Sequence, residues 1–273
     1  MTLEPTSLAA LFLLIFVGFI VFFTVRVRAG SRPVLRRIRG FEILKGLMGR
    51  AVESGRMLHL SVGVGSMANE TTADSLAGLS VLNYLAEQAA QTGVSPTISM
   101  ADPTVMLYAQ NAIRAAYTDN PTEAEDAYRN IRWIAPQPAA YAAGVMNILD
   151  SGDAEANVMV GNFGDEYLLM GETAARRELA HIGGTSDPNT LPFIYASAQE
   201  TLLGEEIYAA GAYLKRIPAH IGSLVSQDAM RWLVALVIFG GILVTTLNLW
   251  WIWLVVAVLI LIILGSILMT SLR

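Results

Sequence analysis

The residues best placed to bind a ligand in this sequence are those that follow its predicted β-strands. Short β-rich segments alternate with helical ones, which predicts a parallel sheet, and such sheets bind ligands at the carboxyl ends of their strands, often against helix N-termini. The predicted strand ends supply glycines, amides, hydroxyls and carboxylates: Gly63, Gly65, Ser66, Asn69 and Glu70, then Asp102, then Asn162, Gly164 and Asp165, and last Ser197 and Gln199. We expect these residues to line one crevice.

The loop after the first strand, Gly63-Val64-Gly65, begins like the glycine-rich turn of a dinucleotide site. The third glycine of the G-x-G-x-x-G motif is missing, because Ala68 stands there, and the predicted helix begins only near Thr71. Asp102 lies too far along the chain to supply the acid that binds the ribose, and a Walker lysine is also missing. A tight structural turn is the favoured interpretation, and nucleotide or phosphate binding is its alternative.

Groups suited to catalysis or metal binding do not converge in the sequence. The chain has no cysteine, and its three histidines lack the spacing of metal ligands, so each is interpreted as structural: His59, His181 and His220. Ser66 lies in no G-x-S-x-G nucleophile motif. The adjacent acids Asp165-Glu166 and Glu205-Glu206 would point roughly 100° apart on a helix, and Asp165 is better explained as an N-cap. We predict no catalytic residue, no metal and no cofactor, and an enzyme is the less favoured class.

The elements that must position these residues alternate between strand and helix. Candidate strands are 57–62, 97–100, 131–135, 157–160 and 193–196, and candidate helices are 71–91, 103–117, 121–130, 138–149, 165–179 and 200–214. Helix starts are marked by capping boxes or by a cap followed by proline: Thr71 with Asp74, Ser197 with Glu200, Asp102-Pro103 and Asn120-Pro121. The pattern predicts an α/β fold with a Rossmann-like, mainly parallel sheet and helices on both faces.

The two ends of the chain are apolar enough for membrane helices. The protein is 54% hydrophobic and 15% charged, whereas soluble domains contain about 25% charged residues. Residues 8–25 carry no charge, and about 20 apolar residues cross a bilayer. Glu4 precedes this segment and arginines follow it, which is the reverse of a cleaved signal peptide. Residues 232–269 would be roughly 57 Å long as one helix, so we predict a hairpin that turns near 245–248, with a re-entrant first arm as the alternative.

Six arginines follow the first apolar segment: Arg26, Arg28, Arg32, Arg36, Arg37 and Arg39. By the positive-inside rule they place the N-terminus outside and the α/β domain in the cytoplasm, in what we expect to be a prokaryotic inner membrane. Apolar residues at helical spacing predict a basic juxtamembrane helix, whose arginines fix topology and can also lie on anionic headgroups. The predicted organisation is an N-terminal transmembrane helix at 1–28, this juxtamembrane helix at 29–55, the α/β domain at 56–228 and a transmembrane helical hairpin at 229–273.

Three segments together resemble a known family: GRAVESGRMLHLSVGVG at 49–65, ANVMVGNFGDEYLLMGET at 156–173 and LPFIYASAQETLLGEEIYAAGAYL at 191–214. They are similar to a family of prokaryotic membrane proteins described only as a domain of unknown function, over residues from about 40 to 228. The resemblance implies membrane anchoring and an α/β domain. It implies no activity and supplies no catalytic residues.

These observations predict a membrane-anchored structural or interaction protein, a homo-oligomeric scaffold or a subunit of a larger membrane assembly. Its expected partners are the lipid bilayer, copies of itself and other membrane proteins. Nucleic acid is rejected as a partner, because acids outnumber bases from residue 51 to 226. Two alternatives remain: a module that binds or senses a small ligand or nucleotide at the strand ends, and an enzyme that acts there on a small or lipid-derived substrate.

Overall fold

The structure is a computed structural model that describes residues 5–118, 121–151 and 153–247. It contains two compact units. An α/β unit comprises Arg32–Ile221, and a second unit combines the described residues of the two ends, 5–31 and 222–247. The predicted second arm of the C-terminal hairpin falls at 248–273, outside the described residues.

The α/β unit is built on a six-stranded sheet in which all neighbours are parallel. The strands are β1 Met57–Gly63, β2 Thr97–Met100, β3 Ile131–Trp133, β4 Ala154–Asn162, β5 Ala180–Thr185 and β6 Glu200–Leu203. Their order is β3-β2-β1-β4-β5-β6. This is the order of doubly wound dinucleotide-binding sheets, in which the direction of winding reverses between the first and fourth strands. The predicted α/β fold with a Rossmann-like parallel sheet is confirmed.

Helices cover both faces of this sheet. In chain order the helices are α1 Pro5–Arg28, α2 Arg39–Ser54, α3 Thr72–Thr92, α4 Pro103–Ala116, α5 Pro121–Tyr128, α6 Pro138–Asp150, α7 Tyr167–Arg176, α8 Leu191–Ser197, a 3-10 helix Gly204–Ala209, α9 Ala210–Tyr213 and α10 Pro218–Leu247. Helices α2, α3 and α4 pack together on one face, and α6, α7 and α8 pack together on the other.

The two faces of the sheet differ in chemistry. Toward α3 the strands present apolar side chains, among them Leu58, Leu60, Val62, Ile98, Val158 and Ile182. Toward α6 and α7 the same strands present buried polar side chains: His59, Ser61, Ser99, Asn157 and His181. Parallel strands buried on both faces are normally continuous apolar runs, so this polar row needs hydrogen-bond partners from the helices above it.

Two predicted elements in the C-terminal third are wrong. Segment 193–196, predicted as a strand, lies within α8, and segment 200–214 is β6 followed by the 3-10 helix and α9 instead of one helix. The aromatic and β-branched residues of 193–195 have high strand propensity, but their packing context makes them helical. Strand β5 was not predicted, and His181 lies in it.

The predicted helix caps have mixed outcomes. Asp102 does cap α4, because its carboxylate accepts from the Thr104 nitrogen at 2.7 Å and the Val105 nitrogen at 3.3 Å. The Ser197–Glu200 capping box is wrong, since Ser197 ends α8 and Glu200 begins β6. Asp165 is not the N-cap of α7, a position that Glu166 occupies. The Asn120-Pro121 cap falls on residues whose side chains lie outside the described part.

The predicted juxtamembrane helix is helical only in its second half. Helix α1 runs to Arg28, residues 31–38 have no regular structure, and α2 begins at Arg39. The apolar side chains of α2 are not available to a bilayer surface, because Phe41, Leu44 and Leu47 are fully buried and α2 packs against β1, β4 and β6. Helix α2 is therefore part of the α/β unit.

Within the part of the chain that the structure describes, two helices are long and apolar enough to cross a membrane, judged by length and composition. They are Thr6–Arg28, with 23 residues, and Pro218–Thr246, with 29 residues. Within their unit, α1 and α10 approach closely near Gly222, where a Cβ atom would lie 2.5 Å from the Thr24 hydroxyl. Helix α10 begins at Pro218, before the predicted boundary at 228, and proline suits the first turn of a helix.

Candidate functional site

The carboxyl edge of the sheet holds most of the residues that were predicted to bind a ligand. Gly63 ends β1 opposite Asn162, which ends β4. Gly65 and Ser66 follow β1 directly, and Ser66 also contacts the Asp102 carboxylate after β2. Ser197 does not join them: α8 starts beyond the carboxyl end of β5 and returns to the start of β6, so its last residue lies at the opposite edge.

The backbones of β1 and β4 are in contact where the strand order reverses. The Val64 nitrogen donates to the Asn162 carbonyl oxygen at 2.9 Å. Gly63 has a φ of 89°, and a Cβ atom there would come closer than 3.0 Å to that same carbonyl oxygen. At Gly65 a Cβ atom would lie 2.5 Å from the Ser75 hydroxyl. These glycines are required by the close approach of the protein's own backbone and side chains.

The β1–α3 loop, residues 64–71, uses its amides internally. Six N–H groups of the loop and the first residue of α3 donate to oxygens of the protein: those of Val64, Ser66, Met67, Ala68, Thr71 and Thr72. The Ser66 nitrogen lies 2.9 Å from the Thr71 hydroxyl, and the Thr71 nitrogen lies 2.9 Å from the Asn69 side-chain oxygen. In a phosphate-binding loop such donors point at the anion. Here they hold the turn together.

Asp74 brings a buried carboxylate to the same place. It lies in the first turn of α3 and is 6% exposed. Its Oδ1 accepts from the hydroxyls of Ser186, at 2.8 Å, and Tyr208, at 2.5 Å, and its Oδ2 accepts from the Asn162 amide at 3.1 Å. A carboxylate is favourable near the positive end of a helix dipole. Asp74 thus places a carboxylate of the protein itself in the first turn of α3, beside the end of β4 at the carboxyl edge of the sheet.

Sequence reasoning missed the partners of Asp74. It assigned Asp74 to a capping box, whereas the side chain points inward. Ser186 and Tyr208 lie 112 and 134 residues away along the chain, so only the topology of the sheet brings them together. Burial and the contact with the Asp74 carboxylate raise the pKa of Tyr208, so its hydroxyl stays protonated and donates.

Among the other predicted residues, Asn69 and Gly164 have local roles. The Asn69 side chain accepts from both the nitrogen and the hydroxyl of Thr71, and the Gly164 nitrogen donates to the Glu166 carboxylate at 2.8 Å. Asp165 is exposed, beside a buried Glu166. These contacts stabilise the loops after β1 and β4, and the side chains involved do not converge on one ligand position.

A second polar cluster lies in the core, on the α6 and α7 side of the sheet. His59 Nδ1 lies 2.7 Å from the Asn157 side-chain oxygen, which only accepts, so this nitrogen carries the proton. His59 Nε2 then accepts from the Ser99 hydroxyl at 2.9 Å. The Tyr141 hydroxyl lies 2.6 Å from the Ser61 hydroxyl and 3.1 Å from that of Ser99. Burial raises the pKa of Tyr141 to about 12.

His181 continues the cluster across β4 to β5. Its Nδ1 donates to the Asn157 main-chain oxygen at 3.1 Å, and its Nε2 accepts from the Tyr167 hydroxyl at 3.0 Å. Burial lowers the pKa of both His59 and His181 to about 4, so both rings are neutral at pH 7. Each ring nitrogen has a partner, which is the arrangement of a structural histidine. In the described parts of the chain, no three His, Asp or Glu side chains are grouped to hold a metal ion.

Comparison with known proteins gives one relationship. No curated protein and no solved structure matches the chain. A family model described as "Domain of unknown function (DUF6754)" matches residues 4–263. Because this match covers nearly the whole sequence, the chain belongs to the DUF6754 family, whose function is unknown.

Proposed function

We propose that this protein is a membrane-anchored interaction module that forms a homo-oligomeric scaffold or a subunit of a larger membrane assembly. The observation that carries the proposal is the Asp74 cluster at the reversal of strand order. In that place a doubly wound sheet holds its ligand, but here Asn162, Ser186 and Tyr208 surround a carboxylate of the protein itself. This supports a role in which the sheet is a rigid body that presents its surface to other chains.

The proposed location is a prokaryotic inner membrane, with α1 and α10 as spans and the α/β unit in the cytoplasm. The basic residues that end α1, Arg26 and Arg28, support this orientation. Farther along the chain, three arginines pair with acids of the α/β unit: Arg36 with Glu206, Arg37 with Glu42 and Arg39 with Glu200. Topology is therefore the role we assign to the arginines nearest α1, with headgroup contact a secondary role for Arg32.

The orientation has a direct test because the chain contains no cysteine. Single cysteines at Thr2→Cys and Glu125→Cys would be treated in intact cells with a maleimide that does not cross membranes. Glu125 is exposed on α5. We expect Thr2→Cys to react before lysis and Glu125→Cys only after lysis. The opposite pattern would invert the proposed topology.

The assembly has its own test. Light scattering and native mass spectrometry of the detergent-solubilised protein should give a discrete mass that is a multiple of 29.5 kDa, constant over a tenfold dilution. Arg129→Glu is a control for non-specific charge effects, because the Arg129 side chain is 82% exposed and pairs with Asp126, three residues earlier in the chain. A monomer at every concentration would contradict self-association.

A second candidate is a small-ligand or nucleotide-binding module, which the strand order and the glycines at β1 favour. Native mass spectrometry and thermal melts with NAD, ATP and their reduced or hydrolysed forms test it, since a ligand at 100 times its Kd stabilises by about 2.7 kcal/mol. We expect no shift. A fixed extra mass, or a shift of several degrees, would favour binding over the scaffold. Gly65→Val cannot distinguish the two candidate functions, because a side chain at position 65 clashes with Ser75 whether or not a ligand binds.

A further inference from the structure

The segment that follows β6 is held in place by side chains from two separate parts of the α/β unit. It begins at Gly204, whose φ of 59° is left-handed, and forms the 3-10 helix that leads into α9. Helices of this type longer than three or four residues are uncommon, because their hydrogen-bond geometry is poorer than that of an α-helix. This one has 6 residues. Its position therefore depends on side-chain contacts.

The first contact joins the 3-10 helix to the N-terminal linker, defined as residues 32–38. Glu206 accepts from the Leu203 nitrogen at 3.0 Å through Oε2, and its Oε1 lies 2.5 Å from Arg36 Nη2. Tyr213 of α9 donates its hydroxyl to the Arg36 carbonyl oxygen at 2.5 Å and stacks on Phe41. The linker that follows α1 in the chain is thus bonded to the segment that precedes α10.

The second contact joins the 3-10 helix to the start of α3. Tyr208 donates to Asp74 at 2.5 Å. With three residues per turn, side chains two positions apart leave a 3-10 helix about 120° from each other, so Glu206 and Tyr208 reach different partners. Ile207 between them is fully buried, and its Cγ2 would lie 3.1 Å from a Cβ atom on Gly184 of β5. The 3-10 helix therefore contacts the linker through Glu206, α3 through Tyr208 and β5 through Ile207.

The contacts continue from Asp74 to the β1–α3 loop. Asn162 donates its amide to Asp74 and accepts the Val64 N–H on its carbonyl oxygen. A buried carboxylate that loses one of three donors is costly, so a displacement of Tyr208 requires the groups around Asp74 to rearrange. Polar contacts therefore join Arg36 to Glu206 and join Tyr208 through Asp74 and Asn162 to the loop, and the backbone of the 3-10 helix connects Glu206 to Tyr208.

We propose that the 3-10 helix Gly204–Ala209 couples the N-terminal linker to the carboxyl edge of the sheet. A displacement of the linker shifts Glu206, the shift moves Tyr208 off Asp74, and the β1–α3 loop loosens. Through this coupling, the linker and the 3-10 helix determine how well ordered the β1–α3 loop is at the carboxyl ends of β1 and β4.

Hydrogen-exchange mass spectrometry of the full chain in detergent micelles tests the coupling. Arg36→Ala removes the ion pair with Glu206 and keeps the main-chain oxygen that Tyr213 contacts. Arg37→Ala is the matched control, because Arg37 is 86% exposed and pairs with Glu42 instead of the 3-10 helix. We expect Arg36→Ala to speed exchange about two- to fivefold in residues 204–209 and also in residues 64–71. Arg37→Ala should change neither segment.

Tyr208→Phe tests the second contact, since it keeps the ring and removes only the donor. It should speed exchange in residues 64–71 about tenfold. Adding Arg36→Ala should then have little further effect on this loop, because the Tyr208–Asp74 contact through which it acts is already lost. Coupling is refuted if Arg36→Ala affects 204–209 alone or if the two effects on 64–71 add fully. It is equally refuted if Arg36→Ala speeds exchange in β2 and α6 as well, since that pattern means global unfolding.

Discussion

The hydroxyl of Tyr167 lies in the space where a side chain on Gly183 would begin. A Cβ atom on Gly183 would come closer than 3.0 Å to that hydroxyl, and it would lie 2.9 Å from Ile194. Tyr167 is fully buried in the core. Its hydroxyl bonds His181, which lies two residues before Gly183 in β5. Because Gly183 has no side chain, the Tyr167 hydroxyl can reach the buried polar side chains of the sheet.

Gly183→Ala should destabilise the protein by about 1–3 kcal/mol, because the buried Tyr167 ring must move and its bond to His181 is strained. Urea unfolding of the full chain in detergent, followed by circular dichroism, measures the change. Gly49→Ala is the control, since Gly49 lies on an exposed position of α2 with no atom within 4 Å of its Cβ position. The control should be neutral or slightly stabilising. Equal stability of the two variants would contradict the packing argument.

Stability should fall as the pH drops from about 6.5 toward 4. The pKa of each buried histidine is lowered from 6.5 to about 4, so the unfolded chain takes up protons in this window that the folded chain does not. The expected slope is about 1.4 kcal/mol per pH unit for each histidine. Unfolding midpoints at pH 7, 6 and 5 measure it.

The slope has an internal control. His181→Gln removes one of the two groups and should lower the slope between pH 6.5 and 5 by about half, whatever it does to the stability at pH 7. A wild-type stability that is flat over this range would mean that the histidines are not held neutral.

Asp74→Ala should cost about 1–3 kcal/mol, because Ser186, Tyr208 and Asn162 lose the acceptor that they share. Asp165→Ala serves for comparison. Asp165 is exposed and does not cap α7, so its loss should stay within about 0.5 kcal/mol. Thermal melts of both variants decide the matter, and a larger loss for Asp165→Ala would restore its predicted role as a cap.

Gly78→Ala should be the more damaging of two glycine changes in helices. A Cβ atom on Gly78 would press on the Val160 carbonyl oxygen and would lie 2.9 Å from Val62, so α3 would have to move off the sheet. We expect a loss of about 1–3 kcal/mol or more. Gly46→Ala, with open space at its Cβ position, should not destabilise. The same melts compare them, and a harmless Gly78→Ala would show that α3 can shift freely.

Much of the fold was predictable because local signals agreed with tertiary structure. Strand β2 matches its prediction of 97–100 at both ends, and α4 follows the Asp102-Pro103 signal. Strand β5 was missed because Gly183 and Gly184 have low strand propensity, yet they are needed to fit Tyr167, Ile194 and Leu202. The reason for these glycines lies in the packing of α7, α8 and β6 against β5, which the local sequence pattern of β5 does not contain.

Several residues that were predicted to bind a ligand do lie together at the carboxyl edge of the sheet, and their binding role stays a prediction. Gly63, Gly65 and Asn162 do meet where β1 and β4 end. The missing third glycine at position 68 pointed to a structural turn, and the close helix–strand packing that such a glycine provides is supplied by Gly78 instead. The direction of the Asp74 side chain and the arrival of Tyr208 depend on long-range topology, so neither was visible in the sequence.

The unequal faces of the sheet also constrain how the chain can assemble. A one-residue slip of β1 would turn Leu60 toward the Tyr141 phenol and bury Ser61 among the apolar side chains under α3. Each polar group stranded in this way costs about 1–3 kcal/mol, and a slip strands several at once. The buried polar side chains from Ser99 to His181 therefore favour one register of the central strands over the registers shifted by one residue.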